Sequence, residues 1–365
     1  MRVAVGGGQA WLATRYEDVR QILGDAVGFS SDDASAGFPV RMQLPPEPGI
    51  MSLVRMDGAE HARLRRMVMP EFTARRARAM RADIESLIEG LLDGLEAGGS
   101  GVDLVEGFAV RLPALVIARM LGVPRQDEFA FVEHSRVIVS SDAAPEEVYG
   151  AFVELSRYMD ELVSAKERDP GEDLLGRLAR DYVACGELTH RELVSLSRFL
   201  LVAGHETTAH QISLSVLSLL RDPVLVAGLR GDPSLYKGAG EELLRYWSIA
   251  QDNQVRAAVR DVEVGGARIA KGEGVIVAIP GANHDESVFP GAGAVDVHRQ
   301  ARHHLAFGFG PHLCPGAPLA RLELELCLRA LFTRFPALRL AVPEEELVFR
   351  HSGLVYGLEA LPVTW

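Results

Sequence analysis

The densest set of residues able to do chemistry is HHLAFGFGPHLCPGAPLARLELEL, residues 303–326, where Gly308, Gly310 and Gly316 surround a single cysteine, Cys314. Glycines allow tight turns and let the backbone approach a flat cofactor closely. The residues after Cys314 read as a helix, so the sulfur falls at a helix N-terminus, where N–H groups and the dipole favour an anion. With no CxxC and no neighbouring Cys/His set, this cysteine does not read as a structural zinc ligand. A thiolate on heme iron would donate electron density and favour O–O cleavage. Two other readings stand beside that one. Cys314 could be an inert buried cysteine next to a glycine-rich turn, or a nucleophile served by His312, although no third orienting group is evident.

A second cluster is LLVAGHETTAH, residues 200–210, where Gly204, Glu206 and Thr207 interrupt an apolar helix face. A buried acid is costly without a partner or water. A helical threonine can bond a carbonyl one turn back and loosen the helix. Small Ala203 and Gly204 leave room for a ligand against the backbone. By itself the segment reads equally as a polar stripe with an incidental glycine. Histidine as a residue type can titrate near neutrality, which draws attention to His205 and His210, but adjacent helical positions diverge, so His205 reads as a structural or surface group. Glu242 and Arg245 in EELLR are spaced for an ion pair, as are many helical residues. His61 and Arg65 lie one turn apart in EHARLRR. The run from Arg63 to Arg81 is basic, which suits either a solvated helix face or the docking of an acidic protein.

The elements that must position these residues are mostly helical. Strand and short helix are expected over the first 30 residues, then loop over 31–50. Helix follows over 59–95 with a break near Pro70, over 106–121 with an interruption at Pro113, and over 124–140, 145–168 and 174–182. Thr189 and Glu192 form a capping-box pattern that opens a very long helix through Leu220, stopped before Pro223. A helix ends near Tyr246, short strands fill 255–280, and helix returns at Ala317–Phe335 before a tail of strand and turn. No linker or repeat divides the 365 residues. They are expected to form one domain, 1–365: a mixed N-terminal β region (1–55), helical core (56–250), β insert and meander (255–300), cysteine loop (303–316), and C-terminal helix and strands (317–365).

Composition narrows the function. A formal charge of -12 argues against nucleic acid as a partner. Three cysteines, Cys185, Cys314 and Cys327, argue against a disulfide scaffold and fit a reducing, cytoplasmic setting. Neither a signal peptide nor a membrane span is evident.

FGFGPHLCPG resembles the heme-binding loop of cytochromes P450, with Phe307, Gly308, Gly310, His312, Cys314 and Gly316 in the matching places. The resemblance extends over nearly the whole chain. RYEDVR, MDGAEHARLRRMV, LLVAGHETT, EELLRY and YGLEALPVTW are most similar to soluble actinobacterial members, which often hydroxylate polyketides, macrolides, terpenoids, steroids or added drugs. Beside the family the start is short, which leaves room for a lead-in segment. The resemblance implies a mainly α fold, a triangular helical prism with a minor β region and heme b between the long helix and the helix after Cys314.

It also implies roles. Cys314 would hold the iron, with Phe307, Gly308 and Gly316 around it. His61, Arg65, Arg256 and His312 would meet the heme propionates, and Ala203 would face the distal side. Thr207 would orient dioxygen and its water, and Glu206 would relay protons. Glu242, Arg245 and Arg299 would form a buried network bracing the cysteine loop. A separate ferredoxin and its reductase would deliver electrons from NAD(P)H, with O2 as cosubstrate, to a protein expected to be monomeric. Substrate contacts are expected around 40–54, 200–207, 248–254 and 351–355.

One departure is Pro315, where relatives usually carry leucine. Proline suits a first helical position and removes an N–H that could point at the sulfur, which predicts a less neutralised thiolate. The expected activity is hydroxylation of a polyketide- or macrolide-like metabolite, with steroid-like or terpenoid compounds next. A heme protein that binds without turnover or uses peroxide, and more remotely a cysteine hydrolase, remain the alternatives from other classes.

Overall fold

Thr189 starts the longest element. Its hydroxyl accepts from the Glu192 N–H at 3.2 Å, and the Glu192 carboxylate accepts from the Thr189 N–H at 2.7 Å. Two otherwise unpaired helix-end donors are thereby satisfied. The helix runs from His190 to Leu220 and is buried along most of its length, because it is apolar on nearly every side.

The computed structural model describes residues 1–5, 8–39, 53–129, 131–140, 143–251, 254–351 and 355–365. In chain order the helices are α1 (Tyr16–Gly24), α2 (Gly58–Val68), α3 (Ala74–Ala79), α4 (Arg81–Gly98), α5 (Arg111–Leu121), α6 (Val132–Val139), α7 (Pro145–Arg168), α8 (Leu174–Leu178), α9 (His190–Leu220), α10 (Pro223–Gly231), α11 (Tyr236–Trp247), α12 (Ile279–Asn283) and α13 (Ala317–Arg334). The strands are β1 (Arg2–Val5), β2 (Gly8–Ala13), β3 (Phe29–Ser30), β4 (Val102–Asp103), β5 (Val255–Ala258), β6 (Val262–Val264), β7 (Ala267–Ile269), β8 (Gly274–Val277), β9 (Arg339–Leu340), β10 (Phe349–Arg350), β11 (Gly357–Leu358) and β12 (Pro362–Thr364).

The fold is mainly α with a minor β region. Helix α9 packs against α5, α7, α11 and α13, and the main apolar core lies around it. A five-stranded sheet of order β1-β2-β8-β5-β3 carries the N-terminus, with β2 and β8 parallel and a second apolar cluster over its face. Two-stranded β6–β7 and β10–β11 and three-stranded β4-β12-β9 complete the β structure. Among the described residues no single helix is long and apolar enough to cross a membrane.

Three local expectations need correction. Pro113 does not interrupt its helix: it is the third residue of α5, where its missing N–H has no intrahelical partner to lose. The irregularity lies earlier, in a π turn over Val105–Ala109. The helix expected over 124–140 is a 3₁₀ turn, Arg125–Asp127, followed by the shorter α6. Likewise the 174–182 helix is α8 continued by a π turn over Ala179–Val183.

Candidate active site

The cysteine loop is built by backbone bonds. Cys314 N–H donates to Phe307 O at 2.8 Å, Gly308 N–H to Leu305 O at 2.8 Å, and Leu313 N–H to Gly310 O at 3.0 Å. Gly308 and Gly310 adopt φ of 74° and 72°, the left-handed region that side chains disfavour. A Cβ on Gly310 would also meet Leu23 O at 2.6 Å. Gly316 has an ordinary φ of -72° and serves as N-cap of α13. Pro315 is not the first helical residue: it sits in the turn before Gly316, and the proline inside the first turn of α13 is Pro318.

Burial pushes the Cys314 thiol up, against the opposing N–H groups of Gly316 and Ala317 and the charges of Arg65 and Arg321. Burial therefore outweighs the helix N-terminus here, and a cation bonded to the sulfur is what would deprotonate it. Among the described residues no group of three or more His, Cys, Asp or Glu side chains could hold a metal.

Four basic residues expected to act together do converge. The His61 and His312 rings stack at 4.2 Å between centroids. Arg65 donates to Leu313 O, next to Cys314. Arg256 is 4% exposed and donates to the Val255 carbonyl at 2.8 Å. Burial and the charge of Arg55 hold Arg256 down to about 10. Burial, with the charges of His312 and Arg65, holds His61 at about 4. His61 Nε2 and Arg55 Nε are buried without a hydrogen-bond partner among the described residues. The basic and donor groups gathered here exceed the carboxylates that oppose them, Asp57 and, at Arg55, Asp33, which suits an anionic group.

Sequence reasoning missed Asp57. It precedes α2 as an N-cap residue yet makes no capping bond. Its carboxylate instead accepts from Ser30 Oγ at 2.5 Å and Ser31 N–H at 2.9 Å, and lies 3.5 Å from His312 Nε2. Its position just ahead of a helix with no bonded cap is a signal that only the structure exposes.

On α9, Phe199, Ala203 and Thr207 lie one turn apart on a face that opens, while the residues around them are largely buried. The Thr207 hydroxyl donates to Ala203 O at 2.8 Å. Gly204 does not leave room for a ligand: a Cβ there would lie 2.9 Å from the Ile117 side chain, so it serves the close packing of α9 on α5. Glu206 points elsewhere, 3% exposed, with Oε1 3.1 Å from His205 Nε2. Burial raises its carboxyl, but His205, His210 and Arg350 outweigh that and hold it below the usual range. His205 is wholly buried and meets Phe131 edge-on at 5.6 Å.

Glu242 and Arg245 are 0% exposed and joined by bonds of 2.7 and 2.8 Å. Arg299 Nε donates to Glu242 Oε1 at 3.1 Å. Arg245 also donates to the carbonyls of Asn283 and Ala292 at 2.7 and 3.0 Å. Asn283 Oδ1 in turn accepts from Leu305 N–H at 2.7 Å, at the start of the cysteine loop. A second brace, unforeseen, joins Glu241 to Arg321 of α13 at 2.7 Å and to His304 at 3.2 Å. Arg321 lies 4.6 Å from the Phe307 ring.

Of the polar 248–254 stretch, Ser248 is buried and bonded to Arg245 O and Asn283 Nδ2, so it does not serve a ligand. Asp252 and Asn253, residues 40–52 and 352–354 lie outside the described residues. Of the basic run, Arg63, Arg65, Arg76 and Arg81 are tied to Glu192, Leu313 O, Glu71 and Glu325. Arg66, Arg75 and Arg78 are exposed.

The family pattern described as Cytochrome P450 matches residues 237–352. Cytochrome P450-SU2 of Streptomyces griseolus is 46% identical over 364 residues, covering 98% of this chain and 88% of the relative. Vitamin D3 dihydroxylase of Streptomyces griseolus is 45% identical over 362 residues, covering 98% and 88%. The crystal structure of mycinamicin VIII C21 methyl hydroxylase from Micromonospora griseorubida, bound to mycinamicin VIII, superposes with a TM-score of 0.94 at 40% identity, covering 100% of this chain and 93% of that one.

Proposed function

This chain belongs to the cytochrome P450 family of heme-thiolate monooxygenases, and from that premise we propose that it hydroxylates a polyketide- or macrolide-like metabolite using electrons from a separate ferredoxin. The observation that carries the reading is the pairing of a glycine-shaped Cys314 loop with a largely buried cluster of basic side chains on one side and an open Ala203–Thr207 strip on the long helix.

The residues present fit heme b. Cys314 would hold the iron, and His61, Arg65, Arg256 and His312 would hold the propionates, with Phe307, Gly308 and Gly316 beside the ring. When bound, heme supplies the redox chemistry, accepting electrons and transferring one atom of O2 to the substrate. Thr207 bonds the Ala203 carbonyl, and by releasing that bond its hydroxyl can orient a water toward the open strip. Glu206 is a buried carboxylate, held below the usual range by His205, His210 and Arg350, placed to take up and pass on a proton rather than to face solvent. Phe199 and Ala203 present an apolar wall to the substrate. A macrolide-like substrate is supported by the mycinamicin held in the superposed structure, and a steroid-like one by the vitamin D3 relative. Cytoplasmic location and a monomeric state belong to the same proposal.

The test is a carbon monoxide difference spectrum of the reduced protein, followed by spin-state titration with macrolide, steroid and terpenoid compounds. Turnover with ferredoxin, reductase and NAD(P)H is then compared with hydrogen peroxide alone. Product only with peroxide, or binding without product, would replace this reading by its alternatives.

Electron delivery gives a separate prediction. Arg66, Arg75 and Arg78 are the exposed members of the basic run, and rim charges act on encounter rates. Reversing all three to glutamate is expected to slow reduction by ferredoxin about tenfold at low salt and to flatten its salt dependence. Stopped-flow reduction over a salt series measures both, and an unchanged slope would remove this face as the docking site.

Pro315 gives another. The N–H groups acting on the sulfur belong to Gly316 and Ala317. Pro315→Leu restores an N–H one residue nearer, which would neutralise the thiolate further and raise the heme midpoint potential. Potentiometry reads it, and an unchanged or lowered potential would sink the idea.

A further inference from the structure

Glu206 does not end at His205. Its Oε2 lies 3.7 Å from Nε2 of His210, one turn further along α9. His210 is 4% exposed, and neither ring nitrogen has a hydrogen-bond partner among the described residues. Its other edge faces β11, where a Cβ on Gly357 would come 2.0 Å from His210 Nδ1. Only the absence of a side chain at 357 admits the imidazole. Beside Gly357 the same hairpin carries Arg350 and Glu359, bonded at 2.9 and 3.0 Å, with the Glu359 side chain 49% exposed. One imidazole therefore lies between the buried acid and the hairpin, within electrostatic reach of an ion pair at the solvent edge. Buried polar nitrogens without partners cost free energy that an apolar side chain would not, and such exceptions mark function more often than packing.

We infer that His210 is the positioning residue through which Glu206 exchanges its proton with the β10–β11 hairpin edge. The inference rests on the reading of Glu206 as the acid of an oxygen-activating site. In the exchange, a proton arrives at Nδ1 from the hairpin side, by way of water. The proton on Nε2 passes to Glu206 Oε2 as that N–H bond breaks. One N–H forms and one is lost, so the imidazole is neutral before and after with its tautomer reversed, and no electrons move. The 3.7 Å gap is somewhat longer than a hydrogen bond and closes by a small side-chain shift.

The charged groups facing His210 are Glu206 on its own helix, Arg350 on β10, Glu359 just past β11, and Arg136 on α6. Burial, with Arg350 and Arg136, outweighs the two carboxylates and keeps the ring at about 4. It is therefore neutral above that pH, the state that tautomer exchange requires.

The test uses the holoenzyme in its ferrous, carbon monoxide-bound form with ¹⁵N-labelled histidine. The His210 signals are assigned by their loss in His210→Gln. Averaged shifts of two exchanging tautomers are expected, displaced toward one tautomer in Glu206→Gln. A single fixed tautomer, indifferent to Glu206→Gln, would overturn the inference. In turnover, His210→Gln and His210→Asn are expected to lower product formed per NAD(P)H about tenfold and to steepen its pH profile, with heme content unchanged. Added to Glu206→Gln they should cause no further loss, since residues in one chain are non-additive. Additive loss, or loss that tracks heme content, would mean a structural role and overturn the relay. A missing thiolate band in the wild type would sink the monooxygenase reading itself, whereas a normal band with a fixed tautomer would sink this inference alone.

Discussion

Glu242→Ala is expected to yield protein that loses most of its heme and melts well below the wild type. Glu242 and Arg245 are both fully buried, and Glu242 also accepts from Asp296 N–H at 3.0 Å and from Arg299. Deleting the carboxylate leaves the Arg245 guanidinium out of water with its charge unanswered. Breaking such a pair from one side costs about 3–5 kcal/mol, a large part of the roughly 5–15 kcal/mol that holds a domain folded. The loss propagates to the site because Arg245 also bonds Asn283 O, and Asn283 bonds Leu305 at the mouth of the cysteine loop. Heme-to-protein ratio and thermal melting measure the effect, with Glu242→Gln as the milder companion. Low activity with full heme content in Glu242→Ala would count against the bracing role.

The second large effect concerns the sulfur itself. Cys314→Ser is expected to abolish the strongly red-shifted Soret band of the reduced carbon monoxide complex and to lower oxygenation by orders of magnitude. Serine keeps the size and loses the thiolate's electron donation, on which O–O cleavage depends. Cys185→Ser and Cys327→Ala should keep the band. Cys185 is exposed, and Cys327 is buried on α13 with its Sγ on Leu324 O at 3.4 Å. A thiolate-type band surviving in Cys314→Ser would move the iron ligand elsewhere.

Local patterns legible in the sequence reappear in the structure wherever their causes lie within a few residues. The Thr189/Glu192 capping box opens α9 as its spacing implies, and Gly308 adopts the positive φ that its loop suggests. The Glu242–Arg245 spacing produces a pair, and the Thr207 hydroxyl bonds the carbonyl one turn back. Where a second segment decides, the sequence reading fails or stays open. Gly204 looked like room for a ligand, but Ile117, far away in the chain, fills that space. The basic run looked continuous, yet Glu192, Glu71 and Glu325 claim three of its arginines and the Leu313 carbonyl a fourth. Asp57 drew no notice in the sequence, yet it serves Ser30, Ser31 and His312, which only the fold brings to it.

The chain by itself therefore determined the helical class, the family resemblance and the identity of the cysteine loop, because periodicity, caps and turns act over about one to two helical turns. Tertiary structure alone decided which cations meet, where Glu206 points and what His210 lies between. Those depend on residues such as Gly357 and Arg350, brought together only when burial of apolar surface packs α9 against the C-terminal hairpin. Electrostatic character follows the same division, since residue type sets a group's ordinary pKa but burial and distant charges set its direction of shift.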